Sequence, residues 1–152
     1  MQKQGGGNIV LFGGAGQGPL PRRAAYAATK GAVMRMTETF AEELKSESIF
    51  INSVLPGPVN TTFMDEVLQA GPERATQAEY DQALKQKQGG GTPPELASKL
   101  ILYLISGRSA DLSGKTISAR WDKYEDFSDI AAINKSDLFT MRRVIKEDGG
   151  TR

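Results

Sequence analysis

The order of apolar runs limits this chain more than any other feature. Ile9 to Phe12 is a short apolar run bounded by Gly5-Gly6-Gly7 and Gly13-Gly14, the pattern of a strand buried on both faces. From Ala24 to Lys45 an Ala-rich stretch places Val33, Met36, Phe40 and Leu44 at spacings of three and four, one stripe of an amphipathic helix. "SIFINSVLPG" then gives a strand from Ile49 to Leu55, stopped by Pro56-Gly57. The polar segment from Asn60 to Gly91, broken by Gly71-Pro72 and by three glycines at 89–91, reads as a mobile excursion with two short helices. In "TPPELASKLILYLIS", Thr92 reads as N-cap, Pro93 as first-turn residue and Glu95 as the partner that completes a capping box. Leu96, Leu100, Ile101 and Leu104 form the buried face of that helix, and "TISARW" is a third strand. Strand, helix, strand, excursion, helix, strand implies right-handed crossovers and an α/β fold with a parallel sheet of about three strands and flanking helices. Residues 1–121 make this unit. The remainder, 122–152, is a tail with one helix starting near Ser136, with Leu138, Met141 and Ile145 packed on one side and Arg142 and Lys146 in water.

Composition excludes several kinds of function. With 152 residues the chain fits one domain. Its 19 Lys and Arg against 18 Asp and Glu leave a net charge of +1, so no electrostatic argument favours nucleic acid or an anionic membrane. The pairs Arg22-Arg23 and Arg142-Arg143 read as solvated surface. Without cysteine or histidine there are no disulfides, no Ser-His or Cys-His pairs and no expected metal site, which leaves Tyr, Lys, Ser, Thr and carboxylates for any chemistry. No apolar run approaches the roughly 20 residues that span a bilayer, and the polar first residues do not resemble a signal peptide; a cytoplasmic location is expected.

Two motifs compete for a functional reading. "NIVLFGGAGQGPLPRR" looks like a dinucleotide loop, but the fingerprint's first, third and sixth glycines fall on Gly14, Gly16 and Pro19. The spacing fails. Pro19 and Pro21 also delay the helix, and the next strand offers no acid for a ribose hydroxyl. More specific is "YAATK", which places Tyr26 and Lys30 four residues apart on one face at the start of a helix. A phenol with a reference pKa of about 10 is a poor base at neutral pH, and an adjacent cation favours phenolate. Such a pair alone is common by chance; its surroundings are not.

A strand ending in glycines, a loop, Y-x-x-x-K opening an Ala-rich helix and then "INSVLPGPVNT" together resemble the short-chain dehydrogenase/reductase family over residues 5–121. The resemblance implies a partial Rossmann-type sheet and hydride transfer between NAD or NADP and an alcohol or carbonyl. It makes Tyr26 the general acid/base and Lys30 its electrostatic partner and ribose ligand. Pro56, Gly57, Val59 and Thr61 would form the turn beside the nicotinamide, and Asn52 matches the family's strand asparagine.

Two departures qualify this. Counting back from Tyr26, the family's serine position falls on Gly13, with Gly14 beside it, so the donor that polarises the substrate carbonyl is missing; Thr29 and Thr62 are candidate substitutes. Secondly, Met1 to Gly7 resembles the end of the helix before the family's fifth strand, so the chain is expected to be a C-terminal half without the N-terminal cofactor-binding half. It would then not bind cofactor alone. Two functions stay open: an oxidoreductase half, inactive until another chain completes it, or a non-catalytic self-association module. Both predict a homo-oligomer or a complementing partner through the exposed strand 9–12 and the helix 24–45.

Overall fold

The protein, described by a computed structural model over residues 1–14, 18–109 and 111–142, is built around one central strand. β2 (Ile49–Leu55) lies between β1 (Gly7–Phe12) and β3 (Thr116–Ser118), and both neighbours run parallel to it. Successive side chains on a strand point to opposite faces. Val54 accordingly joins Leu100, Leu104, Leu112 and Ile117 in the main core under α4 (Pro94–Ile105). Ser53 faces α1 (Ala24–Glu43) on the other side, where it adjoins Gly13 and Met34. This is the expected α/β sandwich. β1 sits at the sheet's edge and is only half-buried, with Phe12 50% exposed, not enclosed on both faces.

α1 departs from its expected orientation. Its fully buried residues are Thr37 and Ala41, whereas Met36 and Phe40 lie on the exposed side. Small residues let the helix lie close to the loop before β3: a Cβ on Gly114, whose φ is +76°, would stand 3.1 Å from that of Ala41. The Thr37 hydroxyl donates to the Val33 carbonyl at 2.9 Å, so its burial leaves no orphan donor.

The excursion forms α2 (Thr62–Arg74) and α3 (Gln77–Gly89), which pack on each other above the carboxyl ends of β1 and β2. A non-helical Gly71, at φ 72° and ψ 170°, kinks α2 before Pro72. Thr92 is not the cap of α4. That position belongs to Pro93, while the buried Thr92 accepts a hydrogen bond from Arg120 Nη1 at 3.0 Å, so the capping box does not form.

β3 is shorter than expected because its outward backbone groups are taken early. Ser118 N–H donates to Asp122 Oδ2 at 2.7 Å and Thr116 N–H to the Phe139 carbonyl at 2.8 Å. The tail thus covers this edge of the sheet. Its helix is α5 (Ile130–Lys135), capped by Asp129, and not one beginning near Ser136. From 136 to 142 the chain is a strap. Buried Lys115 draws in the carbonyls of Ser136 and Leu138 at 2.8 and 3.1 Å, which a helix would need for itself. Leu138 is 58% exposed, and Ile145 and Lys146 lie outside the described residues. Arg142 is not free in water: it pairs with Glu38 and Asp137, each at 2.6 Å. Among the described residues no helix is long and apolar enough to cross a membrane, and no group of His, Cys, Asp and Glu could hold a metal ion.

Candidate active site

The carboxyl ends of parallel strands are where open α/β sheets place ligands. Here the ends of β1 and β2, the start of α1 and the helices α2 and α3 enclose a cavity of about 590 Å³. Tyr26 and Lys30 both line it, as helical spacing demands. The Lys30 ammonium donates to the carbonyl of Phe12 at 3.0 Å, which fixes the side chain across the end of β1.

Both side chains converge on Gly14. A Cβ built there would lie 3.0 Å from Tyr26 Oη and 3.3 Å from Lys30 Cγ and Cδ. One at Gly13 points elsewhere, to 2.7 Å from the buried Ser53 Oγ and 2.8 Å from Leu55 Cδ2. The position facing the phenol is therefore Gly14, and the count back to Gly13 is off by one residue. Sequence distance across the 18–23 loop misplaced it; the strand's alternating side-chain directions set it. Of the candidate substitute donors, Thr29 donates to the Ala25 carbonyl on the exposed side of α1, and Thr62 lines only a separate shallow groove. Thr61, whose side chain caps nothing, lines the cavity.

The turn after β2 places Pro56, Gly57, Val59 and Thr61 along one wall. Gly57 has φ +82°, and a Cβ on it would meet Thr92 Oγ1 at 2.9 Å. The Pro58 carbonyl is held by Thr92 N–H at 2.9 Å and by Gln86 Nε2 at 2.8 Å. Gly91, at φ +67°, passes so close that a Cβ would lie 2.7 Å from Asn60 Oδ1. Thr92, Gln86 and Gly91 are thus supports that motif reading missed; the third glycine of 89–91 reads as a chain break and is in fact a close approach. Asn52 does not reach the cavity. It spans β2 and the approach to β3, donating to the Leu112 carbonyl at 2.8 Å and accepting from Lys115 N–H at 3.1 Å.

The roof comes from the excursion. Phe63 of α2 stacks on the ring of Tyr26, with centroids 5.3 Å apart and 20° between planes, and Arg23 lies over the other ring at 5.8 Å. Arg23 also gives Glu79 of α3 two hydrogen bonds, at 2.9 and 2.6 Å. Arg22 donates to the carbonyl of Glu73 at 2.6 Å. This basic pair ties the loop before Tyr26 to α2 and α3 instead of lying in solvent. Trp121 stands at the rim, 66% exposed.

The residues that would border a nicotinamide and its ribose, Tyr26, Lys30 and the Pro56 to Thr61 turn, line one cavity together, and to that extent the wall fits the nicotinamide end of a dinucleotide.

Residues 1–72 match a family model described as short chain dehydrogenase. The chain is 31% identical over 109 residues to 2-(S)-hydroxypropyl-CoM dehydrogenase 3 of Xanthobacter autotrophicus, a match covering 71% of this chain and 42% of that protein. It is 37% identical over 110 residues to a protein of the same organism named inactive 2-(S)-hydroxypropyl-CoM dehydrogenase 2, covering 71% and 47%. The chain therefore spans less than half the length of these relatives. A solved 7α-hydroxysteroid dehydrogenase complexed with NADH and 7-oxo glycochenodeoxycholic acid has the same fold, with a TM-score of 0.56 and 21% identity over 78% of this chain and 44% of that one. Sequence and fold converge on one assignment: the chain belongs to the short-chain dehydrogenase/reductase family of oxidoreductases.

Proposed function

We propose that this chain carries the catalytic and nicotinamide-side residues of an NAD(P)-linked oxidoreductase acting on an alcohol or carbonyl. One observation carries the reading: Tyr26 Oη and the Lys30 stem converge on a bare Gly14 inside a cavity at the carboxyl ends of the strands. In the reduction direction Tyr26 gives its hydroxyl proton to the carbonyl oxygen while the carbonyl carbon gains a hydride. Alcohol oxidation reverses both transfers. A nicotinamide held there would supply or accept that hydride. Lys30, placed by the Phe12 carbonyl, is available to the nicotinamide ribose and favours the phenolate left behind. The Pro56 to Thr61 turn would border the ring, and Phe63, Met64 and Val67 give the roof its apolar part.

Because the chain spans less than half the length of its relatives, these 152 residues by themselves are expected to show no activity and not to hold NAD(P)H at micromolar concentration, which a fluorescence titration checks. Joined to the nucleotide-binding half of a family member, it should oxidise NADH or NADPH in the presence of a reducible ketone. Tyr26→Phe should abolish that activity and Gly14→Ser raise it. Equal rates in both variants would remove Tyr26 from the chemistry.

The open edge supports a second reading, self-association. Gly7 and Gly13 N–H bond to the carbonyls of Ser48 and Val54, so by alternation Val10 N–H points away from β2. Half-exposed Phe12 and the exposed Met36 and Phe40 add apolar surface to that edge and to α1. A homo-oligomer follows, and Val10→Pro should weaken it without breaking the β1–β2 ladder. Sedimentation equilibrium that gives a 16.4 kDa monomer at micromolar concentration would refute it.

A further inference from the structure

Beyond Tyr26 and Lys30, the cavity carries one charged pair, Arg23 and Glu79. Glu79 Oε1 accepts from both Nε and Nη2 of Arg23, and the Glu79 side chain is only 13% exposed. Thr76 caps α3 by accepting from Glu79 N–H at 3.2 Å. In the reciprocal form of that cap the glutamate side chain would reach back to the cap residue; here it turns to Arg23 instead. The nearby wall is apolar, formed by Leu20, Met64, Val67 and the stacked Phe63. A guanidinium left alone in such a wall would be a receptor for a carboxylate, phosphate or sulfonate. Glu79 already fills that role.

We propose that Glu79 determines the charge selectivity of the cavity. By occupying Arg23 it withholds that guanidinium from anionic alcohols and ketones, so the apolar wall beside it, on the side of the cavity away from the Lys30 ammonium's anchor at Phe12, takes uncharged apolar or aromatic ones. This rests on the reading of the cavity as the substrate site. Removal of the carboxylate alone turns Arg23 into an anion acceptor; removal of both charges restores neutrality.

A matched probe pair tests this without turnover. Anilinonaphthalene and anilinonaphthalene sulfonate share one aromatic skeleton and differ by a single anionic group. Trp121 is the chain's one tryptophan and stands at the rim, so energy transfer from it reports binding, and weakening of that binding in Phe63→Ala places the probe in this cavity. The wild type should bind the neutral probe more tightly. Glu79→Gln should raise the affinity for the sulfonate about tenfold and leave that for the neutral probe unchanged, a change equivalent to one partly buried charge contact. The double variant Arg23→Gln with Glu79→Gln should return the ratio of the two affinities to its wild-type value. An unchanged ratio in Glu79→Gln overturns the proposal, and so does a gain that persists in the double variant, because a loosened roof would then be its cause. Absence of energy transfer to either probe in the wild type would overturn the substrate-cavity reading and this proposal with it, whereas transfer with an unchanged ratio overturns this proposal alone.

Discussion

Alanine at Gly13 and alanine at Gly14 should have different effects although the two residues are adjacent. Neither glycine needs the left-handed backbone region, so the difference comes from space alone. At Gly13 the new Cβ would lie 2.7 Å from Ser53 Oγ and 2.8 Å from Leu55 Cδ2, closer than such atoms approach, and Ser53 is fully buried on the central strand. Overpacking of this kind costs about 1–3 kcal/mol. Loss of glycine's freedom in the unfolded chain offsets about 0.4–1 kcal/mol of it, leaving a net loss between about 0 and 2.6 kcal/mol, and in the upper part of that range because two contacts lie below 3 Å. For a chain of this size that lowers Tm by roughly 2–8 °C. At Gly14 the nearest atom is Tyr26 Oη at 3.0 Å, the end of a side chain that borders open cavity, so Gly14→Ala should be neutral within about 0.5 kcal/mol. Thermal unfolding followed by circular dichroism measures both. Equal destabilisation, or a stable Gly13→Ala, would refute the assignment of Gly14 as the residue facing the phenol.

Glu38 holds the strap through Met141 N–H and Arg142 Nη1, each at 2.6 Å, and through Arg35 at 2.7 Å. Glu38→Gln should speed amide exchange at Met141 and its neighbours, and unchanged protection there would contradict the strap. Burial, with the charge of Arg142 added, holds the Lys115 ammonium below the usual lysine value of 10.5. The folded chain therefore releases that proton at lower pH than the unfolded one, and stability from this group rises with pH through the window below 10.5 and is lost as pH falls through the folded value. In urea titrations the wild type should gain stability relative to Lys115→Met as pH rises from about 8 to 10; a decline would reverse the sign of the linkage.

Local pattern carried the central elements because their residues agree at every level. β2 runs Ile49–Leu55, the range its apolar run and Pro56 dictate, and Tyr26 and Lys30 share a face because helical spacing leaves them no alternative. What eluded the sequence were long-range hydrogen bonds. Thr92 has every local mark of a helix cap, yet Arg120 claims its hydroxyl and the Pro58 carbonyl its N–H. A stripe of Leu138, Met141 and Ile145 suggests a helix, but Lys115, a residue more than 20 positions earlier, takes the carbonyls that helix would use. On α1 the middle of the hydrophobic stripe, Met36 and Phe40, faces outward while Val33 and Leu44 are half-buried, because close approach to Gly114 favours Thr37 and Ala41 on the buried side. Arg22 and Arg23 look like a solvated pair until α2 and α3 bring Glu73 and Glu79 to them.

The most direct test of the central claim is a nuclear magnetic resonance titration of the labelled chain with reduced nicotinamide mononucleotide, which carries the nicotinamide and ribose without the adenosine half. Weak, saturable shifts should cluster at Gly14, Tyr26, Lys30, Gly57, Val59 and Thr61, should be lost in Lys30→Ala, and should differ little in affinity from those produced by NADH. Shifts confined to other surfaces, or none at any of these six residues, would contradict the assignment of this cavity as the nicotinamide side of an oxidoreductase site.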